Sequence, residues 1–447
     1  MPSEAEQLGA LTLDERLCLR WSRGADADRV AHLVGQVFRE SAAAGADECT
    51  KRYTYELFRE AHPTLSPEDW AVVEDITSGE IVACSCLMRN TWRYGTVTFP
   101  VGRPELVATD ERYRRRGLMR SIFDLLHERS GQRGDLVQGI TGIPYFYRQF
   151  GYEYAQELPG GHRVYFADLP CSSSMGDEEV ELRPAAIEDA AALHTLVESN
   201  SRRWEIAAIT SLEYWRHRLS HLRDSDADWR IFTISFSGAM AGFIGFRALR
   251  ERSFAQVRLL ELHENMNWRA LVAPLLWACQ DVAKGLPVRR PMEAPRGVEL
   301  FLGQGHPFLA VLGSSLAHHQ PRAYAWYVRV ADLPRFIRHI ASVLEARLAA
   351  SNLAGYSGDL FVDFYSEGLH IGWERGRMMV AERWRRPHWE QRPYACFPDR
   401  TFLKLLFGYQ SLQELFRAYP DVWGHEESLL LLETLFPNVS GFILPLD

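Results

Sequence analysis

Residues 107–120 read Val-Ala-Thr-Asp-Glu-Arg-Tyr-Arg-Arg-Arg-Gly-Leu-Met-Arg, and this stretch decides the fold of the first part of the chain. Its apolar start is typical of the end of a buried strand, and the sequence then turns basic. From Leu118 onward, apolar residues recur at the spacing of an amphipathic helix, which ends at Ser130-Gly131. The stretch therefore predicts a strand, a loop that we call the arginine loop (residues 110–117), and a helix.

The arginine loop predicts an anion-binding site. The first turn of a helix leaves backbone N–H groups unpaired, and these groups attract phosphate. Gly117 has no side chain to keep a ligand away from them. Positive charge comes from Arg112, Arg114, Arg115, Arg116 and Arg120. The alternative is a solvated basic loop that caps an ordinary helix. Neither G-x-G-x-x-G nor G-x-x-x-x-G-K-[ST] occurs here, so the pattern indicates a phosphate or pyrophosphate site of another kind.

Composition limits the classes of function. The 447 residues are 47% hydrophobic and 24% charged, which predicts two to four globular domains. The net charge of −8 argues against a nucleic-acid partner, so the local basic cluster predicts a small anionic ligand. Apolar runs are too short for a membrane span, and the acidic N-terminus lacks a signal-peptide core. Seven scattered cysteines without metal-ligand spacing predict no metal site and a reducing, cytoplasmic location.

The order of elements points to a known fold. Strands are predicted at 17–21, 70–75, 81–90, 96–99 and 105–109, followed by the arginine loop, its helix and a strand at 136–141. With the loop pattern Arg-x-x-Gly-x-small, this order resembles the GNAT N-acetyltransferases, although Met119 stands where the pattern has a small residue. The resemblance implies acetyl-CoA as co-substrate, wedged between two splayed parallel strands. It places the co-substrate on Val107, Ala108, Thr109, Arg114, Arg115, Arg116, Gly117, Leu118, Met119, Arg120, Gly142 and Ile143. The first three of these would bind its extended pantetheine arm through free backbone N–H and C=O groups.

The segment Tyr147-Arg148-Gln149-Phe150-Gly151-Tyr152 resembles the pattern Tyr-x-Arg/Lys-Phe-Gly-Tyr, except that the arginine and the variable position are exchanged. The enhanced-intracellular-survival (Eis-like) acetyltransferases have this pattern. This resemblance implies that Tyr147 donates a proton to the leaving thiolate. Tyr145 is the second candidate, and the alternative is that these aromatics only pack. The resemblance also implies that Asp447, with the C-terminal carboxylate, is the base. The apolar residues 441–446 independently predict that the tail docks on the protein.

Three domains are predicted, in an α/β (α+β) fold. Residues 1–168 form the catalytic GNAT domain. Residues 178–330 repeat its strand–helix order without a glycine or arginine cluster at 264–269, which predicts a degenerate second GNAT domain that cannot hold the co-substrate. Residues 331–447 resemble the sterol-carrier-protein-like domain of the Eis-like proteins.

The predicted function is acetyl transfer to an amine of a basic acceptor, such as an aminoglycoside-like molecule, a polyamine or a lysine. The resemblance also implies a homo-oligomer, a hexamer. The alternative is a non-catalytic protein that binds a lipid or small molecule in the sterol-carrier-like domain. Acetyl-CoA-dependent thiol release separates the two.

Overall fold

The computed structural model of the chain describes residues 11–41, 43–59, 62–170, 179–220, 225, 227–250, 253–288, 294–313, 316, 324–386 and 394–444. No helix within these ranges is long and apolar enough to cross a membrane.

The N-terminal part is built mainly of strands. Its elements are β1 (Leu11–Thr12), β2 (Leu17–Trp21), α1 (Ala27–Val37), α2 (Glu48–Leu57), β3 (Trp70–Asp75), β4 (Glu80–Tyr94), β5 (Val97–Thr109), α3 (Leu118–Gln132), β6 (Val137–Ile140), β7 (Glu153–Leu158) and β8 (His162–Tyr165). The two strands predicted at 96–99 and 105–109 are one strand, β5. Pairing with β4 continues between them, through Pro100 to Pro104, and joins them.

The middle part repeats the main order of these elements, a strand, two helices, three strands, a helix and a strand. It contains β9 (Val180–Pro184), α4 (Ala190–Ser201), β10 (Ile206–Ile209), α5 (Leu212–Ser220), β11 (Trp229–Phe236), β12 (Ala239–Arg247), β13 (Phe254–Leu262), α6 (Trp268–Gly285), β14 (Gly297–Leu300), α7 (Pro307–Leu312) and β15 (Tyr324–Arg329). It adds β10 between its first two helices and α7 before its last strand. Asn267 caps α6 because its side chain accepts the amides of Arg269 and Ala270.

The C-terminal part forms a small sheet with short helices. Its elements are α8 (Leu333–His339), α9 (Ala341–Ala349), β16 (Gly358–Asp363), β17 (Gly368–Glu374), β18 (Arg377–Trp384), β19 (Ala395–Cys396), α10 (Phe402–Leu406), α11 (Leu412–Ala418), β20 (Trp423–Gly424), α12 (Glu426–Leu435) and β21 (Gly441–Phe442). Leu360 and Phe407 of this part share one apolar cluster with Trp92 and Phe99 of the first sheet. The C-terminal part therefore packs directly on the N-terminal part.

The described strands form three sheets, which exchange strands between the parts of the chain. The main path of the first sheet is β1-β2-β3-β4-β5-β6-β15-β7, so β15 of the middle part lies between two N-terminal strands. Strand β10 pairs with β4, and β21 pairs with β10. The second sheet has the order β8-β14-β13-β12-β11-β9, and the third has the order β18-β17-β16-β19-β20. The sheets thus cross the predicted boundaries at 168–178 and 330–331.

A gap opens between two parallel strands of the first sheet. Strands β5 and β6 pair only where Val101 and Gly102 lie beside Val137 and Gln138. Strand β5 nevertheless continues to Thr109, so among the described residues its last part has no strand paired with it on the β6 side. The arginine loop follows directly after this unpaired end.

Candidate active site

The arginine loop reverses the chain between β5 and α3. A 3-10 turn begins where the Asp110 carboxylate accepts the Arg112 amide at 2.8 Å. Arg115 and Gly117 then both adopt left-handed backbone angles, with φ of +65° and +78°. Glycine adopts this conformation without strain, and Gly117 is the residue directly before α3. The glycine therefore sets the angle at which the helix starts.

The backbone amides of the arginine loop are available to a ligand. Within the described part of the chain, no group accepts a hydrogen bond from the amides of residues 115–119. The positive end of the α3 dipole adds to their attraction for an anion. A Cβ atom built on Gly117 would meet no atom within 4 Å, so the space beside these amides is open. These features fit a pyrophosphate group.

Two arginines brace the loop rather than face the opening. The guanidinium of Arg116 lies 5.0 Å from the ring centre of Tyr113, and that of Arg112 lies 5.8 Å from it. Arg112 also binds the Asp110 carboxylate at 2.8 Å. The Tyr113 hydroxyl donates to Asp75 at 2.6 Å, and this bond lowers the pKa of that carboxyl group to about 2. The loop is thus fixed to the C-terminal end of β3.

A cavity of about 430 Å³ lies between the loop, the end of β5 and the segment after β6. Nine residues predicted from the sequence line it: Val107, Thr109, Arg114, Arg115, Gly117, Leu118, Met119, Arg120 and Ile143. Three predicted residues do not. Ala108 points to the opposite, buried face of β5, as alternation along a strand requires. Arg116 stacks on Tyr113, and Gly142 lies behind the lining, near Tyr147.

Five lining residues were not predicted: Val37, Tyr113, Phe146, Gln149 and Phe150. Val37 ends α1, and only the fold brings it to the loop. Phe150 stacks on Phe123 of α3 at 4.5 Å between ring centres, and the Arg120 guanidinium lies 5.7 Å from the Phe150 ring centre. Three of the five, Phe146, Gln149 and Phe150, belong to the aromatic segment after β6 (residues 145–152), so the run of aromatic residues in the sequence could have identified them.

Met119 occupies the position where the resemblance has a small residue. Its side chain packs against two apolar clusters, one with Leu118 and Ile122 and the other with Phe123 and Tyr147. It also lines the cavity. The larger residue therefore links the buried face of α3 to the segment that contains Tyr147.

Tyr147 begins a 3-10 turn that follows β6, and its side chain is only 3% exposed. Its ring centre lies 5.8 Å from that of Phe123, and a Cβ built on Gly142 would lie 3.8 Å from its hydroxyl oxygen. Burial, and then the charges of Glu105 and Tyr324, raise the pKa of Tyr147 well above its ordinary value. Like any tyrosine hydroxyl it is protonated at neutral pH, so it carries a proton that it could donate.

Tyr145, the second sequence candidate, lies in a different environment. It is 70% exposed, and its hydroxyl accepts a hydrogen bond from Arg148 at 2.9 Å. The Arg148 guanidinium also lies 4.9 Å from its ring centre. The two candidates are thus distinguished by burial.

The C-terminal tail docks between the parts of the chain as far as it is described. Gly441 and Phe442 pair in parallel with β10, and the Phe442 ring lies 5.7 Å from that of Trp204. Ile443 and Leu444 are buried. The predicted base Asp447 lies outside the described residues.

The second sheet contains a similar pair of parallel strands, but side chains fill the space beside them. Strands β13 and β14 pair at four positions, and β13 continues beyond them. His306 is buried there, with its Nε2–H donating to the Leu260 carbonyl at 2.9 Å and its Nδ1 accepting the Phe308 amide at 3.2 Å. The ring of Trp268 lies 5.4 Å from that of His306. The Leu260 carbonyl, which the extended arm of a ligand would need as a hydrogen-bond acceptor, is therefore already bound by His306.

His306 gives a prediction about stability and pH. Burial and the Arg203 charge lower the pKa of His306 to about 3, so the folded protein keeps it neutral. The unfolded chain protonates it near pH 6.5, so this contribution to stability is lost as the pH falls from about 6.5 toward 3. Between pH 7 and pH 5, the opening free energy of β13 should fall by about 2 kcal/mol, measured by amide hydrogen exchange.

The matched variant is His306→Gln, which can donate and accept through a neutral amide. Its opening free energy should depend on pH about 2 kcal/mol less over the same range. An equal pH dependence in both proteins would contradict the assignment of a neutral His306.

Comparisons with known proteins agree with this geometry. Residues 19–155 match the family model described as acetyltransferase (GNAT) domain. No curated protein matches the chain. A GCN5-related N-acetyltransferase from Kribbella flavida is 21% identical, with a TM-score of 0.62 over 96% of this chain and 98% of that one. A conserved protein of unknown function from Enterococcus faecalis, titled a probable N-acyltransferase, is 13% identical, with a TM-score of 0.68 over 96% and 99%. Eis1 from Mycobacterium abscessus is 15% identical, with a TM-score of 0.58 over 96% and 99%.

The N-terminal part of this chain is therefore a GNAT acetyltransferase domain, as the sequence predicted. Such a domain indicates an acetyl-CoA-dependent acyltransferase. The similarity to Eis1 and the other structures extends over nearly the whole chain and is a similarity of fold. Within the described ranges, no cluster of side chains could hold a metal ion.

Proposed function

We propose that this chain transfers the acetyl group of acetyl-CoA to an amine of a basic acceptor: a polyamine, an aminoglycoside-like molecule or a lysine. The observation that carries the proposal is the open set of amides beside Gly117, at the end of the gap between β5 and β6. A ligand with a pyrophosphate followed by an extended arm matches that shape. The net charge of −8 favours a cationic acceptor.

Different residues of the site would bind the two parts of acetyl-CoA. Arg114, Arg115 and Arg120 face the cavity and would hold the pyrophosphate with the loop amides. The unpaired edge of β5 at Val107–Thr109 would hold the arm. The bound thioester supplies an activated acyl group. Binding at both ends places it by proximity beside the aromatic segment.

We assign Tyr147 as the proton donor to the leaving thiolate. Its hydroxyl is buried beside Gly142, whereas the Tyr145 hydroxyl is at the surface and accepts a hydrogen bond from Arg148. We assign Asp447 as the group that accepts the proton of the amine. Support for this role comes from the docked tail, which is buried up to Leu444.

The tail assignment predicts a large kinetic effect. Extending the chain beyond Asp447 by two glycines moves the terminal carboxylate and keeps the side chain. Asp447→Asn removes the side-chain carboxylate and keeps the terminal one. We expect one of the two variants to lower kcat by about 100-fold in a thiol-release assay, since loss of a general base has that order of effect.

The variant that loses activity identifies the carboxylate that acts. A control extension of the N-terminus by the same two glycines should leave kcat unchanged. Full activity in both C-terminal variants would remove Asp447 from the reaction.

We also propose that the middle part is a degenerate second GNAT domain and that residues 331–447 form a sterol-carrier-protein-like domain. The repeated order of elements and the space filled by His306 support the first assignment. The hexameric assembly stays a prediction, which light scattering of the purified protein tests.

The proposed function is tested by thiol release from acetyl-CoA with a panel of amines. Spermine, an aminoglycoside and a lysine amide should react. Glutamate should not react, because its carboxylates would be repelled by a site that attracts cations. Absence of thiol release with every amine would contradict the proposal. Equal rates for cationic and anionic amines would contradict the acceptor class.

A further inference from the structure

Two tyrosines of β15 bind the segment that leads into Tyr147. We call this segment the β6 loop (residues 142–145). The Tyr324 hydroxyl donates to the Gly142 carbonyl at 3.3 Å, and the Tyr327 hydroxyl donates to the Ile143 carbonyl at 3.1 Å. Strand β15 belongs to the middle part of the chain and lies between β6 and β7. The β6 loop is therefore held by residues far from it in sequence.

A third tyrosine completes the network. The hydroxyl of Tyr154 on β7 accepts the Tyr145 amide at 3.0 Å. It also lies 2.6 Å from the Tyr327 hydroxyl and 3.0 Å from the Tyr324 hydroxyl. Because those two give their protons to carbonyls, the Tyr154 proton goes to one of their oxygens. Each hydroxyl of this tyrosine cluster (Tyr154, Tyr324 and Tyr327) thus uses its proton within the network.

The β6 loop needs this support. Tyr145 has a φ of +63°, a left-handed conformation that costs a non-glycine residue about 1–2 kcal/mol. Such a conformation persists only where its surroundings over-determine it. Here three backbone groups of the loop, the carbonyls of Gly142 and Ile143 and the amide of Tyr145, are each bound by a tyrosine hydroxyl.

The β6 loop also connects both halves of the site. Ile143 lines the cavity, and the Cβ direction of Gly142 points toward the Tyr147 hydroxyl at 3.8 Å. The Tyr327 ring packs on the Tyr147 ring with 5.2 Å between centres. A shift of the loop would therefore move the cavity wall and the proposed proton donor together.

We propose that Tyr154, Tyr324 and Tyr327 are positioning residues for acyl transfer, acting through the β6 loop to fix Tyr147 relative to the thioester. This inference rests on the proposed role of Tyr147. It makes the middle part of the chain a contributor to the active site, because β15 supplies two of the three hydroxyls. Phenylalanines would fill the same space without binding the loop.

The test uses the full-length variants Tyr324→Phe and Tyr327→Phe. Each removes one hydroxyl that binds the loop and keeps the ring. We expect kcat for thiol release to fall about 10-fold or more, since small displacements of a catalytic group have effects of this size. The matched control is Tyr365→Phe, whose hydroxyl donates to the Asp421 carbonyl at 2.7 Å in the C-terminal part. Its kcat should equal that of the unaltered protein.

A double-mutant cycle separates positioning from general stability. In a Tyr147→Phe background, the same two substitutions should lower kcat no further, because the group they position is gone. Equal losses in both backgrounds, or full activity of both single variants, would overturn the positioning role while leaving the proposed function intact. Absence of an effect of Tyr147→Phe alone would instead overturn the proposed proton donor, and the positioning role with it.

Discussion

Replacing Gly117 by glutamate is expected to weaken acetyl-CoA binding at least about 100-fold, or about 2.7 kcal/mol. The new carboxylate would stand in the open space beside the amides of residues 115–119, where the pyrophosphate is expected. It would also force a non-glycine residue into a φ of +78°. Both effects act at the anion site, so binding and turnover should be lost together. Titration calorimetry and thiol release measure them.

The matched control is Gly238→Glu. Gly238 has a φ of +79° and open space around it, but it lies in the turn between β11 and β12 of the second sheet. The same backbone strain and the same added charge there should leave binding unchanged. Gly117→Ala should have an intermediate effect, because it adds the strain without the charge. Normal binding by Gly117→Glu would show that the arginine loop is not the co-substrate site.

Replacing Tyr147 by phenylalanine is expected to lower kcat about 100-fold, while KM for acetyl-CoA stays within about 2-fold. The ring contacts with Phe123 and Tyr327 remain, so the binding cavity should keep its shape. Only the hydroxyl group, with the proton that it would donate, is lost. Steady-state kinetics with one cationic acceptor measures both constants.

Tyr145→Phe tests the second candidate for the proton donor and is compared with Tyr147→Phe. The Tyr145 hydroxyl is exposed and bound to Arg148, so its removal should change kcat by less than about 2-fold. The opposite result, a large loss in Tyr145→Phe and none in Tyr147→Phe, would move the proton donor by two residues. That outcome would place the donor at the protein surface.

Local sequence patterns predicted the elements around the arginine loop well. The helix from Leu118 and the glycine before it follow from spacing and from one residue's backbone freedom. The arrangement of the strands was not predictable in this way. Strand β15 enters the first sheet beside β6, which lies more than 180 residues earlier, as the Tyr327 bond to Ile143 shows. The four central residues of β15, 325–328, form an unbroken apolar run that is buried on both faces, and such a run does not specify which sheet the strand joins, so tertiary packing decides.

In the candidate site too, residues close together in sequence were predicted, whereas residues brought in by distant elements were not. Nine of the twelve predicted co-substrate residues line the cavity because they lie in or near one continuous stretch. The side chain of Ala108 faces the buried side of β5, so it does not line the cavity, but the role predicted for Val107, Ala108 and Thr109 belongs to their backbone groups and stays a prediction. Val37 and the tyrosine cluster were missed because other elements bring them to the site. No local pattern marks such residues.

We propose that the chain has one acetyl-CoA site, formed by the arginine loop and the gap beside β5. Titration calorimetry of the full-length protein with acetyl-CoA tests it most directly. We expect a stoichiometry of one acetyl-CoA per chain in the unaltered protein and in Gly238→Glu, and no binding in Gly117→Glu. Two sites per chain, or one site that survives Gly117→Glu, would contradict it.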